Sequence, residues 1–262
     1  MPDGTVTLPR RVWCAGEGVE DSDDVVVESP VALVYNGVSH AVMMATPMDL
    51  EDLALGFSLS EGILRDSDQL LDLQVATREQ GVEVAMQITG EPFAALKHRR
   101  RQLTGRSGCG LCGVESLEQA VYPPHSVSAE VQTTHEAIQA ALDGLAATQE
   151  LKRRTGGVHA AAWCSAQGDI LLVREDVGRH NALDKLLGAL ALRASDSGFI
   201  LLTSRIGYEM VAKAAACNVA LLAAVSAPTS LAVAQAQQAG MSLVGFVQRG
   251  RQVIYCGEHR VR

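Results

Sequence analysis

Aromatic side chains are scarce in this chain: two Trp, four Tyr and four Phe, 4 % of 262 residues. That is too few for a platform on which the bases of single-stranded nucleic acid could stack. Net positive charge is lacking too. The formal net charge is −8, which argues against a general nucleic-acid binder and leaves room only for a local basic patch holding one phosphorylated ligand. No apolar run reaches membrane-spanning length; stretches such as 200–202 and 221–225 are strand-sized. Met1-Pro2-Asp3-Gly4 is not the basic-then-apolar opening of a signal peptide, so a cytoplasmic address is expected. In that setting the six cysteines read as thiols and not as a disulfide framework.

What is present suffices for a buried core. Apolar residues make up 47 %, a normal globular share carried largely by Ala and Val. Residues 1–24 end in Glu20-Asp21-Ser22-Asp23-Asp24 and read as a flexible lead-in. Strand patterns at 31–35 and 38–44 flank Asn36-Gly37, the pair best suited to the left-handed positions of a type I′ turn. Thr46-Pro47 predicts a helix start, with Thr46 as cap and an acidic first turn, and Gly62 a helix end. Residues 82–88 alternate and predict a half-buried strand. Pro123-Pro124 marks the best boundary. It divides a smaller α+β domain, 25–123, from an α/β domain, 124–262. In the latter, strands at 158–163, 170–173, 200–203, 219–225, 243–247 and 252–255 interleave with helices.

Two stretches carry chemistry. Gly108-Cys109-Gly110-Leu111-Cys112-Gly113 sets two thiols three positions apart between glycines, a segment suited to a loop. Lys97, Arg99, Arg100, Arg101 and Arg106 precede it, and nearby cations favour thiolate, the reactive form. Three readings stand: a zinc site completed by Cys256 and His259, a redox pair, or a sulfur relay. The second stretch is the set of polar loops after successive strands of the α/β half: 175–181, 204–207, 226–230 and 248–251. Ligands of such sheets bind beyond the carboxyl ends of strands. Arg179, Arg205, Arg249 and Arg251, with Gly178, Gly207 and Gly250, suggest an anionic, phosphate-bearing ligand at helix N-termini. Thr155-Gly156-Gly157-Val158-His159-Ala160-Ala161 echoes the first signature of zinc deaminases, but Ala161 replaces the carboxylate that such chemistry requires.

Taken together, Thr46-Pro47 through Glu61-Gly62, Cys109-Gly110-Leu111-Cys112-Gly113, Thr155 to His159, Glu175 to Ala182, Thr203-Ser204-Arg205 with Tyr208-Glu209-Met210, and Gly245-Phe246 resemble the formate dehydrogenase accessory sulfurtransferase family. The resemblance implies a sulfur carrier that accepts sulfur from a cysteine desulfurase as a persulfide. It implies transfer of that sulfur to the molybdenum (or tungsten) bis-molybdopterin guanine dinucleotide cofactor, destined for formate dehydrogenase. It assigns the persulfide to Cys109, with Cys112 as partner, and the nucleotide contacts to Phe246, Val247, Gln248, Arg249, Gly250 and Arg251. It further implies a cytidine-deaminase-like α/β layered domain with a smaller N-terminal α+β domain, and a homodimer. A zinc-stabilised cofactor-binding chaperone without sulfur transfer is the alternative.

Overall fold

The computed structural model describes residues 4–102, 123–193 and 197–262. Three sheets organise them. The largest has six strands in the order β12-β11-β10-β9-β7-β8: β7 is His159–Ser165, β8 Ile170–Asp176, β9 Gly198–Leu202, β10 Leu221–Ala224, β11 Ser242–Gln248 and β12 Arg251–Cys256. Strands β9, β10 and β11 are mutually parallel. Since β7 runs antiparallel to both β8 and β9, β8 shares their direction. The carboxyl ends of β8 to β11, and the start of β7, therefore share one edge.

Each central strand is apolar on both faces, as expected of a covered sheet. Ile200, Leu202, Leu222, Ala224 and Leu243 face one core. It is closed by α5 (Arg179–Ala191), α6 (Tyr208–Ala216) and α7 (Ser230–Ala239). Phe199, Leu201, Leu221, Ala223 and Val244 face the other, with Ile138, Ala141 and Leu145 from α3 (His135–Thr148). The result is an α/β domain with helices on both faces of its sheet. Thr134 caps α3 and Thr229 caps α7, each accepting a hydrogen bond from the backbone N–H three residues on.

The second sheet has four strands in the order β4-β3-β6-β5: β3 is Ser29–Tyr35, β4 Val38–Ala45, β5 Leu70–Arg78 and β6 Gly81–Ile88. Asn36 and Gly37 both hold positive φ, and β3 pairs antiparallel with β4 across them, as their sequence predicts. Helix α1 (Leu50–Ser60) covers one face of this sheet and α2 (Gly90–Gln102) follows β6. Val31, Leu33, Tyr35, Leu53, Ala54 and Met86 form its core.

Two expectations differ from the structure. Residues 5–26 are not a lead-in without structure. They form a two-stranded ribbon, β1 (Thr5–Cys14) with β2 (Glu17–Val26), turned by Ala15 and Gly16, both at positive φ. Acidic Asp21, Asp23 and Asp24, at the end of that expected lead-in, are paired with Arg10, Thr7 and Arg154. The helix expected at Thr46-Pro47 begins at Leu50, after Asp49 in a left-handed conformation. Thr46 is fully buried and its polar groups are used elsewhere, as described below.

The two larger sheets are joined where α1 crosses α5. The crossing is glycine on glycine: a β-carbon on Gly56 would strike the Asp184 carbonyl, and one on Gly188 the Asp52 carbonyl. Backbone against backbone leaves no flexible atom to yield. Gly56→Ala is therefore expected to destabilise the fold by roughly 1–3 kcal/mol, as overpacking does. In a thermal melt followed by circular dichroism Tm should fall by several degrees; an unchanged Tm would show that the crossing can open freely.

Candidate functional site

Around that crossing the polar residues of the 175–181 loop form a lock. Asp176 and Lys185 are fully buried and paired at 2.7 Å. Thr46 completes the set: its N–H donates to Asp176 at 3.0 Å, its carbonyl accepts from Lys185 at 3.0 Å, and its hydroxyl accepts from the Val177 N–H. Asn181 donates to Asp176 and to the Met44 carbonyl. Asp176 thus accepts from Thr46, Gly178, Asn181 and Lys185, which satisfies a carboxylate removed from water. Removing one member of such a pair leaves an uncompensated charge, at a cost of about 3–5 kcal/mol. Glu175 caps α4 (Glu150–Thr155), accepting from the Leu151 and Lys152 N–H groups. Much of this loop is therefore structural.

A second set adjoins it, with Asp184 and Lys213 buried and Glu61 at its solvent side. Lys213 of α6 donates to Asp184 of α5 at 2.9 Å, to Glu61 at 2.7 Å and to Ser60 at 3.0 Å. Burial alone would lower the Lys213 pKa, but Asp184 and Glu61 outweigh it and hold the ammonium charged. Glu61 is kept ionised against burial, chiefly by Lys213.

The shared edge of the six-stranded sheet carries the features of an anion site. The N-termini of α5, α6 and α7 follow β8, β9 and β10 and bring partial positive charge to it. The β9 and β10 loops are tied together: Ile206 N–H donates to the Ala227 carbonyl, Thr229 N–H to the Ile206 carbonyl and Phe246 N–H to the Ser226 carbonyl. Arg205 and Arg251 are exposed on this edge, and Arg179 is half-buried. Phe246 holds a φ of 50° at a shift in the β11–β12 register, a conformation costly for a residue with a β-carbon. The Arg251 guanidinium lies 5.4 Å from its ring centre, within cation–π reach. Gln139 of α3 accepts from the Gly250 N–H and so fixes the hairpin tip.

The structure places the sequence candidates unequally. Phe246, Gln248, Arg249, Gly250 and Arg251 gather at one end of this edge, whereas the Val247 side chain is fully buried in the core, leaving only its backbone for a ligand. Arg249 is 92 % exposed and 3.7 Å from Asp143. Cys109 and Cys112 lie outside the described residues, as does Arg106. Among the described residues no three His, Cys, Asp or Glu side chains gather as a metal site. Cys256 donates its thiol hydrogen to the Met241 carbonyl, and burial pushes its pKa up. A cavity of about 540 Å³, lined by Arg65, Trp163, Gly198, Cys217 and Asn218 among others, opens at the opposite edge and plays no part in this site.

Two histidines sit beside it. His159, at the start of β7, has its pKa lowered by burial and then by Arg179 and Lys152. His180 is pushed down to about 4, by burial first and then by Arg179 and Lys213. Its Nε2 is buried with no hydrogen-bond partner among the described residues. The sequence placed His180 at a helix start; its neutral state follows from packing that spacing alone does not show.

The FdhD/NarQ family pattern matches residues 26–262. The chain belongs to the FdhD/NarQ family. It is 55 % identical over 252 residues to the sulfur carrier protein FdhD of Cupriavidus necator, covering 95 % of this chain and 88 % of that one. It is 50 % identical over 260 residues to the protein of the same name from Xanthomonas euvesicatoria, covering 98 % and 92 %. A crystal structure from Desulfotalea psychrophila, of a protein described as a formate dehydrogenase accessory protein, superposes with a TM-score of 0.77. It covers 98 % of this chain and 99 % of that one at 23 % identity, so the FdhD/NarQ chain shares its fold. Among the described residues no helix is long and apolar enough to cross a membrane.

A pH dependence follows from His180. Its folded pKa lies below that of a free histidine, about 6.5, so the unfolded chain binds the proton first and stability falls with pH. The contribution is complete above pH 6.5 and is lost as pH drops towards 4. Urea melts of wild type and His180→Gln between pH 7.5 and 4.5 test this. The wild type should lose more stability across that window, and parallel curves would refute the assignment.

Proposed function

We propose that this chain is a sulfur carrier serving the maturation of formate dehydrogenase. Cys109 attacks the terminal sulfur of a cysteine desulfurase persulfide. A Cys109–sulfur bond forms, the donor S–S bond breaks, and the donor cysteine leaves as thiolate. The acceptor is the molybdenum (or tungsten) bis-molybdopterin guanine dinucleotide cofactor, held as substrate by Phe246 to Arg251 and the helix N-termini beside them. Attack by the Cys112 thiolate on the Cys109 sulfur then releases the outer sulfur as sulfide to the metal. The two electrons come from forming the Cys109–Cys112 disulfide, which a dithiol reductant reopens.

The observation that carries this reading is the shared edge, where three helix N-termini, Arg179, Arg205 and Arg251 and the Phe246 ring lie on a hydrogen-bonded frame. A dinucleotide with its phosphates is the class of ligand such an edge suits. The names of the relatives from C. necator and X. euvesicatoria support sulfur carriage, and the glycines around Cys109 and Cys112 suit a sulfur that must meet two partners. We take the α/β domain, 124–262, as cytidine-deaminase-like and cofactor-binding, the region 25–123 as the smaller domain ending in the cysteine pair, the location as cytoplasmic, and the protein as a homodimer.

Intact-protein mass spectrometry after incubation with a cysteine desulfurase and cysteine tests the first half. Wild type should gain one sulfur and Cys109→Ala none; no gain in either, with bound zinc instead, would favour the zinc-stabilised chaperone. The second half is tested by titrating a guanine nucleotide. Arg251→Ala should weaken binding roughly tenfold, the scale of one charge-assisted phosphate contact, and an unchanged affinity would remove Arg251 from the site.

A further inference from the structure

Arg179 is a cation without a carboxylate. It lies half-buried at the ligand edge, in the first turn of α5. Among the described residues its guanidinium makes no ion pair or hydrogen bond. Arg10, Arg154 and Arg174, by contrast, each hold an aspartate. A charge partly withdrawn from water and left unpaired is costly, and an anionic ligand supplies the missing counter-ion.

Two histidines flank it. His159 opens β7, and His180 follows Arg179 on α5; both are half-buried. Burial and then Arg179 hold both below the ordinary histidine range, with Lys152 of α4 adding to the effect on His159 and Lys213 of α6 to that on His180. Two carboxylates face His180 from the other side, Glu209 of α6 and Glu61 beyond α1. Both are engaged elsewhere. Glu61 accepts from Lys213 and also faces His40. Glu209 is folded back on the start of its own helix, where a β-carbon on Gly207 would strike it. The buried Nε2 of His180 has no partner, so a proton arriving there displaces no existing hydrogen bond. His159 ends the stretch in which Ala161 stands where a deaminase needs its carboxylate, and that chemistry leaves it without a task.

We propose that a phosphate bound at Arg179 is taken up together with a proton on His180 and His159, so that these two histidines are proton-linked residues of the ligand edge. The inference rests on the reading of that edge as a dinucleotide site. Its basis is charge balance. In the free chain the Arg179 guanidinium opposes a further positive charge beside it. A bound anion offsets that opposition. At an effective dielectric constant of about 20, one negative charge ~6 Å away favours a protonated imidazole about a hundredfold. The proton comes from solvent, and no covalent bond changes. Because the complex holds protons that the free chain lacks, affinity rises as pH falls.

Isothermal titration calorimetry of the full chain with GDP-glucose tests the coupling. The pyrophosphate of this guanine nucleotide is a diester, so the ligand itself does not titrate near pH 6. Runs in buffers of different ionisation enthalpy count the protons. Wild type should take up about half a proton or more per ligand at pH 6, and bind roughly threefold tighter at pH 6 than at pH 7, as linkage requires for that uptake. His159→Gln with His180→Gln should bind without uptake, at an affinity flat over the same range. Arg179→Gln should weaken binding and, in the free chain, bring the two histidine titrations seen by NMR closer to about 6.5. Wild-type binding with no proton uptake, uptake retained in the double variant, or histidine titrations unmoved by Arg179→Gln would each overturn the coupling. The underlying reading fails differently: no GDP-glucose binding at any pH would remove the nucleotide site and the coupling with it, whereas binding without uptake would remove the coupling alone.

Discussion

The Asp176–Lys185 pair is the constraint on which the arrangement depends. A carboxylate and an ammonium, both out of reach of water, are tolerable only with their remaining hydrogen-bonding capacity filled. Thr46, from the end of β4, fills it with its backbone N–H and carbonyl. The strand of one sheet thereby becomes part of the polar interior of the other. The glycine crossing of α1 and α5 lies along the same seam, as does the Lys213 cluster. Helix α5, whose start is tied to Asp176 through Gly178 and Asn181, passes through all three.

That frame explains which parts of the site can be rigid. The loops after β9 and β10 bond to each other, and the β11–β12 tip is bound to α3 through Gln139. The donors on that edge are thus oriented in advance, and an anion bound there would spend little energy on ordering them. The left-handed Phe246 is sustained by the same surroundings: its N–H is taken by Ser226, and a β-carbon on Gly245 would press on Pro228 and Tyr255.

Legibility in the sequence followed the range of the interactions. Strand and helix order in the α/β half is local, written in apolar runs separated by polar, glycine-containing loops, and the structure reproduces it. The Asn36-Gly37 turn is equally local. Thr46 read as a helix cap because its neighbours Pro47 and Asp49 fit one; its partners are 130 or more residues away, and no window along the chain contains them. The β1–β2 ribbon was hidden for a related reason. Arg10 and its aspartates are apart in sequence, and Ala15-Gly16 is a weaker turn signal than Asn-Gly. The loop 175–181 was legible as important but not as divided, with Asp176 and Asn181 turned inward to the lock and Arg179 left at the edge.

The buried thiols have a chemical consequence. Cys164 and Cys217 are pushed up to about 12 by burial, and Cys256 is raised as well. Thiol–disulfide and persulfide exchange proceed through thiolate. Around neutral pH these three cysteines are held as thiols and are poor nucleophiles. The packing that fills the α/β core thus also quiets its thiols towards exchange chemistry, and among the described cysteines only Cys14 at the ribbon tip is exposed.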